Sequence, residues 1–215
     1  MGLITELWHG KDLYRIFMNQ ECERQTIKGK VLDVGSGIKL ASYHRFLKKE
    51  ECATIENLDL GFESNSGKKI DLEKDFLPRQ TESVDTILLF NVLEHLYNYS
   101  LVLSEIKRIL KPGGALIGVV PFLVAYHPDP RDYWRFTRES LERIFAAVGF
   151  SDIQIKSFGY GPLSAGFSQM EIVLPRLLKI ILLPCVFFGD WLITKFRPKM
   201  NKDKFSLGLF FTLTK

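Results

Sequence analysis

The chain has 215 residues, of which 46% are hydrophobic and 25% are charged, a composition typical of a folded protein with little disorder. That length suffices for a single α/β domain over residues 1–215 with one insertion. The net charge of +4 is too small to indicate nucleic-acid binding, and we expect no nucleic-acid partner. The N-terminal residues match neither a secretory signal nor a myristoylation pattern. Three widely spaced cysteines without a CxxC pair favour a cytoplasmic protein and give no metal-ligand spacing.

The first half of the chain alternates between helical and strand patterns. Residues 5–24 predict an amphipathic helix, and the apolar run at 31–35 predicts a buried strand. Residues 39–49 predict a second helix. A second strand is expected at 54–60 and a short third strand at 68–71. This alternation of strand and helix is typical of a doubly wound sheet.

The second half continues the alternation. Further strands are expected at 84–90, 115–122, 151–158 and 205–215, and helices at 101–110 and 137–149. The run at 84–90 is continuously apolar, as in parallel strands that are covered on both faces. We therefore predict an α/β fold with a doubly wound, seven-stranded, mostly parallel sheet and a helical insertion before the last strand. The expected segments are 1–27, a core at 28–160, the insertion at 161–204 and the final strand at 205–215.

Acidic residues and glycines follow successive predicted strands. In open parallel sheets, ligands bind at the carboxyl ends of the strands. Gly35 and Gly37 would let the backbone approach a ligand closely, and the buried charge of Asp33 requires a partner. Asp59 lies about 20 residues further on, a separation that suits binding of ribose hydroxyls. Asp71 follows the third predicted strand.

These features together resemble the class I S-adenosylmethionine-dependent methyltransferases. The resemblance covers about residues 28–160 and rests on Asp59, Asp71-Leu72, VLDVGSG at 31–37, VDTILLFNVLEHL at 84–96 and LKPGGALIGVVP at 110–121. It implies a Rossmann-like methyltransferase fold, methyl transfer as the activity and S-adenosylmethionine as the cofactor. The chain departs from the family at Lys39, where a small residue is usual. A dehydrogenase is disfavoured because Leu40 stands where that fingerprint needs its third glycine.

The resemblance also implies a role for each matching position. Gly35, Ser36 and Gly37 would pass under the methionine part of the cofactor, with Asp33 near its amino group. Asp59, beside Leu60, would bind the ribose hydroxyls. The remaining assignments are Asp71 as acceptor from the adenine amino group, Leu72 as a backbone donor, and Asn91 and Val92 lining the cofactor beside the reacting centre.

Two histidines are candidates for catalysis. His95 follows the fourth strand and His127 lies in the loop 125–137, and imidazole titrates near neutrality, as a general base requires. His95 packing as a structural residue stays an alternative. The loop resembles one found in methyltransferases associated with glycan genes, which implies a sugar hydroxyl as acceptor. Its predicted substrate-binding residues are Asp129, Arg131, Tyr133, Trp134 and Arg135; an internal salt-bridge network is the alternative.

The insertion is rich in Leu, Ile and Phe. Charged residues and prolines interrupt its apolar run, so we expect two short helices broken near Pro184 and Gly189 rather than a membrane span. A lid, a dimer contact and a peripheral membrane contact through 172–204 are all compatible with this pattern, the last because basic residues follow it. Two functions stay open: an O-directed methyltransferase acting on a small-molecule, glycan or lipid-linked acceptor, and a non-catalytic cofactor-binding adaptor.

Overall fold

The structure is a computed structural model that describes residues 3–36, 41–58 and 70–215. In chain order its strands are β1 (Thr26–Ile27), β2 (Lys30–Val34), β3 (Lys48–Lys49), β4 (Thr54–Leu58), β5 (Val84–Phe90), β6 (Leu110–Pro121), β7 (Ser151–Phe158) and β8 (Gly208–Thr214). Within these ranges, β1 and β3 form a separate parallel pair, and the other six strands form one sheet in the order β4-β2-β5-β6-β8-β7. This sheet positions the site.

The first four strands of that order are parallel. β2 pairs with β4 and β5, and β5 pairs with β6, all in parallel, whereas β8 runs antiparallel to both β6 and β7. The carboxyl ends of β2, β4, β5 and β6 therefore meet at one edge. The predicted α/β fold with a mostly parallel sheet is confirmed. The predicted third strand at 68–71 is not: residues 70 and 71 are not in a strand, and 68–69 lie outside the described ranges.

Helices cover both faces of the sheet. They are α1 (Leu3–Trp8), α2 (Leu13–Cys22), α3 (Ser100–Ile109), α4 (Arg138–Val148), α5 (Pro162–Met170) and α6 (Arg176–Phe196). Successive side chains of a strand point to opposite faces. In β5, Ile87 and Leu89 accordingly join the core under α3 and α4. Leu88 and Phe90 join the core under α2, α5 and α6, which explains why the run is continuously apolar.

Several predicted boundaries agree with the structure and two helices do not. β5 and β7 span the predicted residues, and α4 is capped as expected by Thr137 and by Gly149, whose φ of 89° is left-handed. The helix predicted at 5–24 is two helices, because the chain turns at Gly10 (φ 81°) and restarts at the N-cap Asp12. In place of the helix predicted at 39–49, the described residues form a 3-10 helix at Ser42–Arg45 and strand β3.

The insertion contains one long helix rather than two broken ones. α6 runs for 21 residues through Pro184 and Gly189, so the predicted break is wrong. A Cβ on Gly189 would lie 2.5 Å from Leu163 Cδ1, which shows that this glycine allows α5 and α6 to pack closely. α6 is the one helix among the described residues that is long and apolar enough to cross a membrane, with a mean hydropathy of 1.9 in its most apolar window, of which only 11% is buried.

Candidate functional site

Asp33 is buried at the carboxyl end of β2 and is paired within the protein. The Tyr43 hydroxyl donates to both carboxylate oxygens at 2.8 and 2.6 Å, and His44 Nε2 lies 2.5 Å from Oδ2. Burial and the adjacent Asp33 raise the pKa of Tyr43, so its hydroxyl stays a donor. The partner that the sequence led us to expect from a ligand thus comes from the 3-10 helix. A role for Asp33 near the cofactor's amino group stays a prediction.

The backbone turns sharply after β2 and leaves polar atoms without partners. Gly35 has a φ of 86°, and its N–H donates to the Leu58 carbonyl at 2.9 Å. The Ser36 hydroxyl and the Asn57 side-chain oxygen are buried without a hydrogen-bond partner among the described residues. Buried polar groups cost free energy unless a partner satisfies them, so this edge suits a ligand with hydrogen-bonding groups. The described residues do not include three of the predicted cofactor-binding residues, Gly37, Asp59 and Leu60, or Lys39, at which the chain departs from the family.

Asp71 and Leu72 differ in their surroundings. The side chain of Asp71 is 44% exposed and pairs with Lys74 Nζ at 2.9 Å. The hydrogen bond from Lys74 lowers the pKa of Asp71, so the carboxylate is ionised and able to accept at neutral pH. Leu72 is buried in the core under α3 and α4. Their assignment to adenine stays a prediction.

Asn91 follows β5 in a left-handed conformation, with a φ of 54°. Asn tolerates this region better than most residues. Its side-chain oxygen accepts a hydrogen bond from the Tyr14 hydroxyl, which reaches the site from α2. Burial and the nearby Glu94 raise the pKa of Tyr14 well above its usual value, so the phenol remains a donor. Val92 is 3% exposed and packs in the core under α3 and α4, so any contact with the cofactor runs through its backbone.

Both predicted catalytic histidines meet at a buried carboxylate. The Oε1 atom of Glu94 lies 3.8 Å from His95 Nε2 and 3.9 Å from His127 Nε2, and the two imidazole rings are 5.4 Å apart. Glu94 is fully buried, and neither of its carboxylate oxygens has a hydrogen-bond partner among residues 3–36, 41–58 and 70–215. The Glu94 carboxylate is the main cause that raises the pKa of His127 above its usual value.

The loop after β6 is fixed in place by internal hydrogen bonds. The Tyr133 backbone N–H donates to the Glu94 carbonyl at 2.7 Å, and the Arg131 carbonyl lies 2.5 Å from His95 Nδ1. Asp132 accepts from the Arg135 guanidinium at 2.5 and 2.7 Å and from the His127 N–H at 3.0 Å. The Arg135 contact lowers the pKa of Asp132 to about 2, so this pair stays charged. The loop therefore presents His127 on a stiff support.

The predicted substrate-binding residues divide into two groups. Asp129, Arg131 and Tyr133 are exposed, and Arg131 donates to the Tyr133 hydroxyl at 2.9 Å, so they form a polar rim. Trp134 packs against the core and its Nε1 donates to the Leu96 carbonyl at 2.9 Å. Arg135 is occupied by Asp132. The last two hold the loop, and all five assignments stay predictions.

Sequence reasoning missed four residues of this region: Tyr14, Tyr43, His44 and Glu94. Glu94 stands next to His95 in the motif at 84–96, so its place beside a candidate catalytic residue could have identified it. The other three carry no local signal, because α2 and the 3-10 helix reach the sheet edge only through the tertiary fold.

Comparisons with known proteins bear on the family and the fold of this chain. Residues 13–155 match a family model described as a methyltransferase domain. A probable S-adenosylmethionine-dependent methyltransferase of Mycolicibacterium smegmatis is 36% identical over 52 residues, which are 24% of this chain and 20% of that protein. The matched stretch thus spans about a fifth of this curated relative.

Solved structures share the fold. One is a SAM-dependent methyltransferase from Archaeoglobus fulgidus, with a TM-score of 0.58, 15% identity and coverage of 99% of this chain and 98% of that one. Another is the 1,6-didemethyltoxoflavin-N1-methyltransferase of Burkholderia thailandensis with bound S-adenosylhomocysteine, with a TM-score of 0.54, 15% identity and coverage of 99% and 84%. At these identities the likeness concerns the fold alone.

Proposed function

The chain belongs to the class I S-adenosylmethionine-dependent methyltransferase family, and we propose that it methylates a hydroxyl group of a small-molecule, glycan or lipid-linked acceptor. The observation that carries the O-directed assignment is the meeting of His95 and His127 beside the buried Glu94. A hydroxyl must lose its proton during methylation, so a proton acceptor is needed where the acceptor binds. These residues lie at the same edge of the sheet as the loop that follows β2.

The cofactor would rest on the residues after β2. Gly35 allows close approach of the backbone, and the Ser36 hydroxyl needs a hydrogen-bond partner that a polar ligand supplies. Asp71, at the opposite end of the predicted cradle, is ionised and partly exposed. When bound, S-adenosylmethionine supplies a methyl group activated by a sulfonium.

His127 is our candidate for the group that takes the proton of the acceptor. Its Nδ1 lies 2.9 Å from the Ala125 carbonyl, which accepts the ring hydrogen, so in the neutral ring the lone pair is on Nε2. Nε2 faces the interior beside Glu94, whereas the side chain as a whole is 39% exposed and within reach of a ligand. The rim formed by Asp129, Arg131 and Tyr133 would hold polar groups of the acceptor, as a sugar requires.

We also propose a cytoplasmic location at an anionic membrane surface, with α6 as the contact. The side of α6 facing the domain holds the buried Leu183 and Asp190, whereas a stripe of apolar side chains at helical spacing is exposed: Leu177, Ile181, Phe188 and Leu192. Directly after it comes the basic cluster Lys195, Arg197, Lys199, Lys202 and Lys204. A helix that is attached along one side, apolar along the other and flanked by cations suits the plane of a lipid interface.

Calorimetric titration with S-adenosylmethionine tests the cofactor site. Gly35→Ala places a Cβ at a left-handed position inside the cradle, and we expect it to weaken binding about tenfold or more. Gly10→Ala is the matched control, because Gly10 has a similar φ of 81° between α1 and α2 and should leave binding unchanged. Equal affinities of the two variants would refute the assignment of the loop.

Formation of S-adenosylhomocysteine in the presence of glycan and lipid extracts tests turnover. We expect product formation that falls at least 100-fold in His127→Ala and is unchanged in His9→Ala, whose histidine is exposed on the turn after α1. Cofactor binding without turnover on any acceptor would favour the adaptor function instead.

Co-sedimentation with liposomes tests the membrane contact. We expect binding to vesicles that contain phosphatidylserine, loss of binding at high salt and loss in a Phe188→Ser variant. Tyr126→Ser is the matched control, because Tyr126 is similarly exposed (74% against 63%) but lies on the loop after β6. Failure to sediment at low salt would exclude this location.

A further inference from the structure

We propose that Glu94, His95 and His127 form a binding site for a first-row divalent transition-metal ion. The three side chains come from two segments, the 3-10 helix after β5 and the loop after β6, and their ligand atoms lie within 4.8 Å of one another. A carboxylate and two imidazoles are a donor set that suits Zn²⁺ and its neighbours, and the neutral imidazoles disfavour Mg²⁺ and Ca²⁺.

The hydrogens of both imidazoles point away from the carboxylate. His95 Nδ1 lies 2.5 Å from the Arg131 carbonyl. His127 Nδ1 lies 2.9 Å from the Ala125 carbonyl, closer than the Arg135 guanidinium at 3.4 Å. A carbonyl can only accept, so each Nδ1 carries a hydrogen, and in the neutral ring that a metal ion binds, Nε2 carries the lone pair. Metal-binding histidines are typically held by such a hydrogen bond from the other ring nitrogen.

Among the described residues, the two imidazoles are the possible cationic partners within 4 Å of the Glu94 carboxylate. Two Nε2 lone pairs and an unpaired carboxylate oxygen converge, at 3.8 and 3.9 Å, which is too far for a direct hydrogen bond. Glu94 is fully buried, and both of its oxygens lack partners among the described residues. A buried carboxylate without a partner costs several kcal/mol as an order of magnitude, so a cation at this position is stabilised. The nearby Tyr14 hydroxyl donates to Asn91 instead of Glu94.

The spacing suits an ion that bonds at about 2.0–2.1 Å to nitrogen and about 2.0–2.2 Å to oxygen. At the tetrahedral angle two bonds of about 2.1 Å separate their ligand atoms by about 3.4 Å, so each carboxylate-to-imidazole distance has to shorten by only about 0.4–0.5 Å for the ion to be shared. The widest separation within the cluster, up to 4.8 Å, closes when the His127 imidazole rotates about its side-chain torsions, which its 39% exposure permits while the loop backbone stays in place. With three protein ligands, one coordination position is left for an oxygen atom, as in catalytic zinc sites.

The role of the ion rests on the proposed methyl transfer, whereas its binding does not. An acceptor hydroxyl bound to the ion loses its proton more readily, because a divalent cation lowers the pKa of a coordinated oxygen. His127 then acts as a ligand, and the proton leaves to water. If no ion binds, His127 retains the role of proton acceptor, so the two proposals can fail separately.

The test is a titration of the metal-stripped full chain with Co²⁺, followed by its visible absorption, and with Zn²⁺ by calorimetry, both without cofactor or acceptor. The protein should carry Cys52→Ser and Cys185→Ser, because these two thiols are exposed and bind the same ions. We expect one ion per chain. Affinity should fall about 100-fold or more in His95→Ala and in His127→Ala, and remain unchanged in the exposed control His9→Ala.

Each outcome decides the proposal. Absence of stoichiometric binding, or an affinity that does not respond to either histidine substitution, would overturn it. The two histidines are 14% and 39% exposed at their side chains, so their replacement leaves the core intact even where Glu94→Gln impairs folding. Unchanged titration of S-adenosylmethionine in His95→Ala and His127→Ala would show that the variants are folded and that a lost ion is a local effect.

Discussion

Replacement of Asp190 tests how the insertion is attached to the domain. Asp190 is fully buried on α6, and its two carboxylate oxygens accept from the backbone N–H groups of Leu163 and Ser164 at 2.7 and 2.8 Å. These donors belong to the first turn of α5, which has no intrahelical acceptor for them. Hydrogen bonds to a charged group contribute about 1.5–3 kcal/mol each, and the stranded donors lose that interaction. We expect Asp190→Ala to lower the free energy of unfolding by about 3 kcal/mol.

The assay is equilibrium unfolding in urea, followed by circular dichroism. For a chain of this size a loss of about 3 kcal/mol corresponds to a fall in Tm of about 6–12 °C. Asp190→Asn retains one acceptor oxygen and should cost about half as much. The control is Asp203→Ala, because Asp203 is 60% exposed and only 3.8 Å from Arg138; surface pairs of this kind contribute about 0–1 kcal/mol. A loss below about 1 kcal/mol for Asp190→Ala would refute the capping role.

Two further substitutions test packing and pH dependence. Gly118→Ala would place a Cβ 2.3 Å from Phe211 Cζ and 2.4 Å from the Leu89 carbonyl oxygen, and we expect it to lower the free energy of unfolding by about 3 kcal/mol, measured by thermal unfolding. Gly113→Ala is the control, because its Cβ would meet no atom within 4 Å, and it should cost about 1 kcal/mol. Equal losses in the two variants would contradict the packing argument. Burial raises the pKa of Glu171 to about 7, so its ionisation destabilises the folded state as pH rises from about 4.5 to 7. Relative to the natural chain, Glu171→Gln should therefore gain on the order of 3 kcal/mol between pH 4.5 and pH 8 in urea unfolding; no gain, or a loss, would show that Glu171 is not desolvated.

The strands and the capped helix could be predicted because their signals are local. β5 shows its double burial in an unbroken apolar run, and α4 shows both of its ends in Thr137 and Gly149. The sequence did not predict α6 as one continuous helix, because proline and glycine usually interrupt helices and both occur within it, at Pro184 and Gly189. The reason for a glycine at position 189 is tertiary, because Leu163 of α5 fills the space that a Cβ on Gly189 would occupy.

The candidate site was predictable in its parts and not in its assembly. His95 and His127 follow strands whose carboxyl ends meet at one edge, which sequence order indicates. Their convergence on Glu94 depends on the path of the loop after β6, which is set by hydrogen bonds such as that from the Tyr133 N–H to the Glu94 carbonyl. Likewise, Asp33 is paired with Tyr43. The sequence predicted Tyr43 on an α-helix at 39–49, whereas it lies on the 3-10 helix Ser42–Arg45.

The insertion leaves and re-enters the sheet at nearly the same point. Phe158 at the end of β7 accepts a hydrogen bond from the Leu207 N–H at 2.9 Å, and Phe158 pairs with Gly208 in β8. The segment between them, residues 159–207, is about twelvefold longer than a four-residue hairpin loop, yet the entropic free-energy cost of closing it is greater by only about 2 kcal/mol. The sheet therefore tolerates replacement of this segment at small cost in chain entropy. Gly208 at the start of β8 pairs with Pro121 at the end of β6, so the insertion leaves the sheet at the same edge as the candidate site. Exchange of the insertion would therefore change the surface beside that site while leaving the strands as they are.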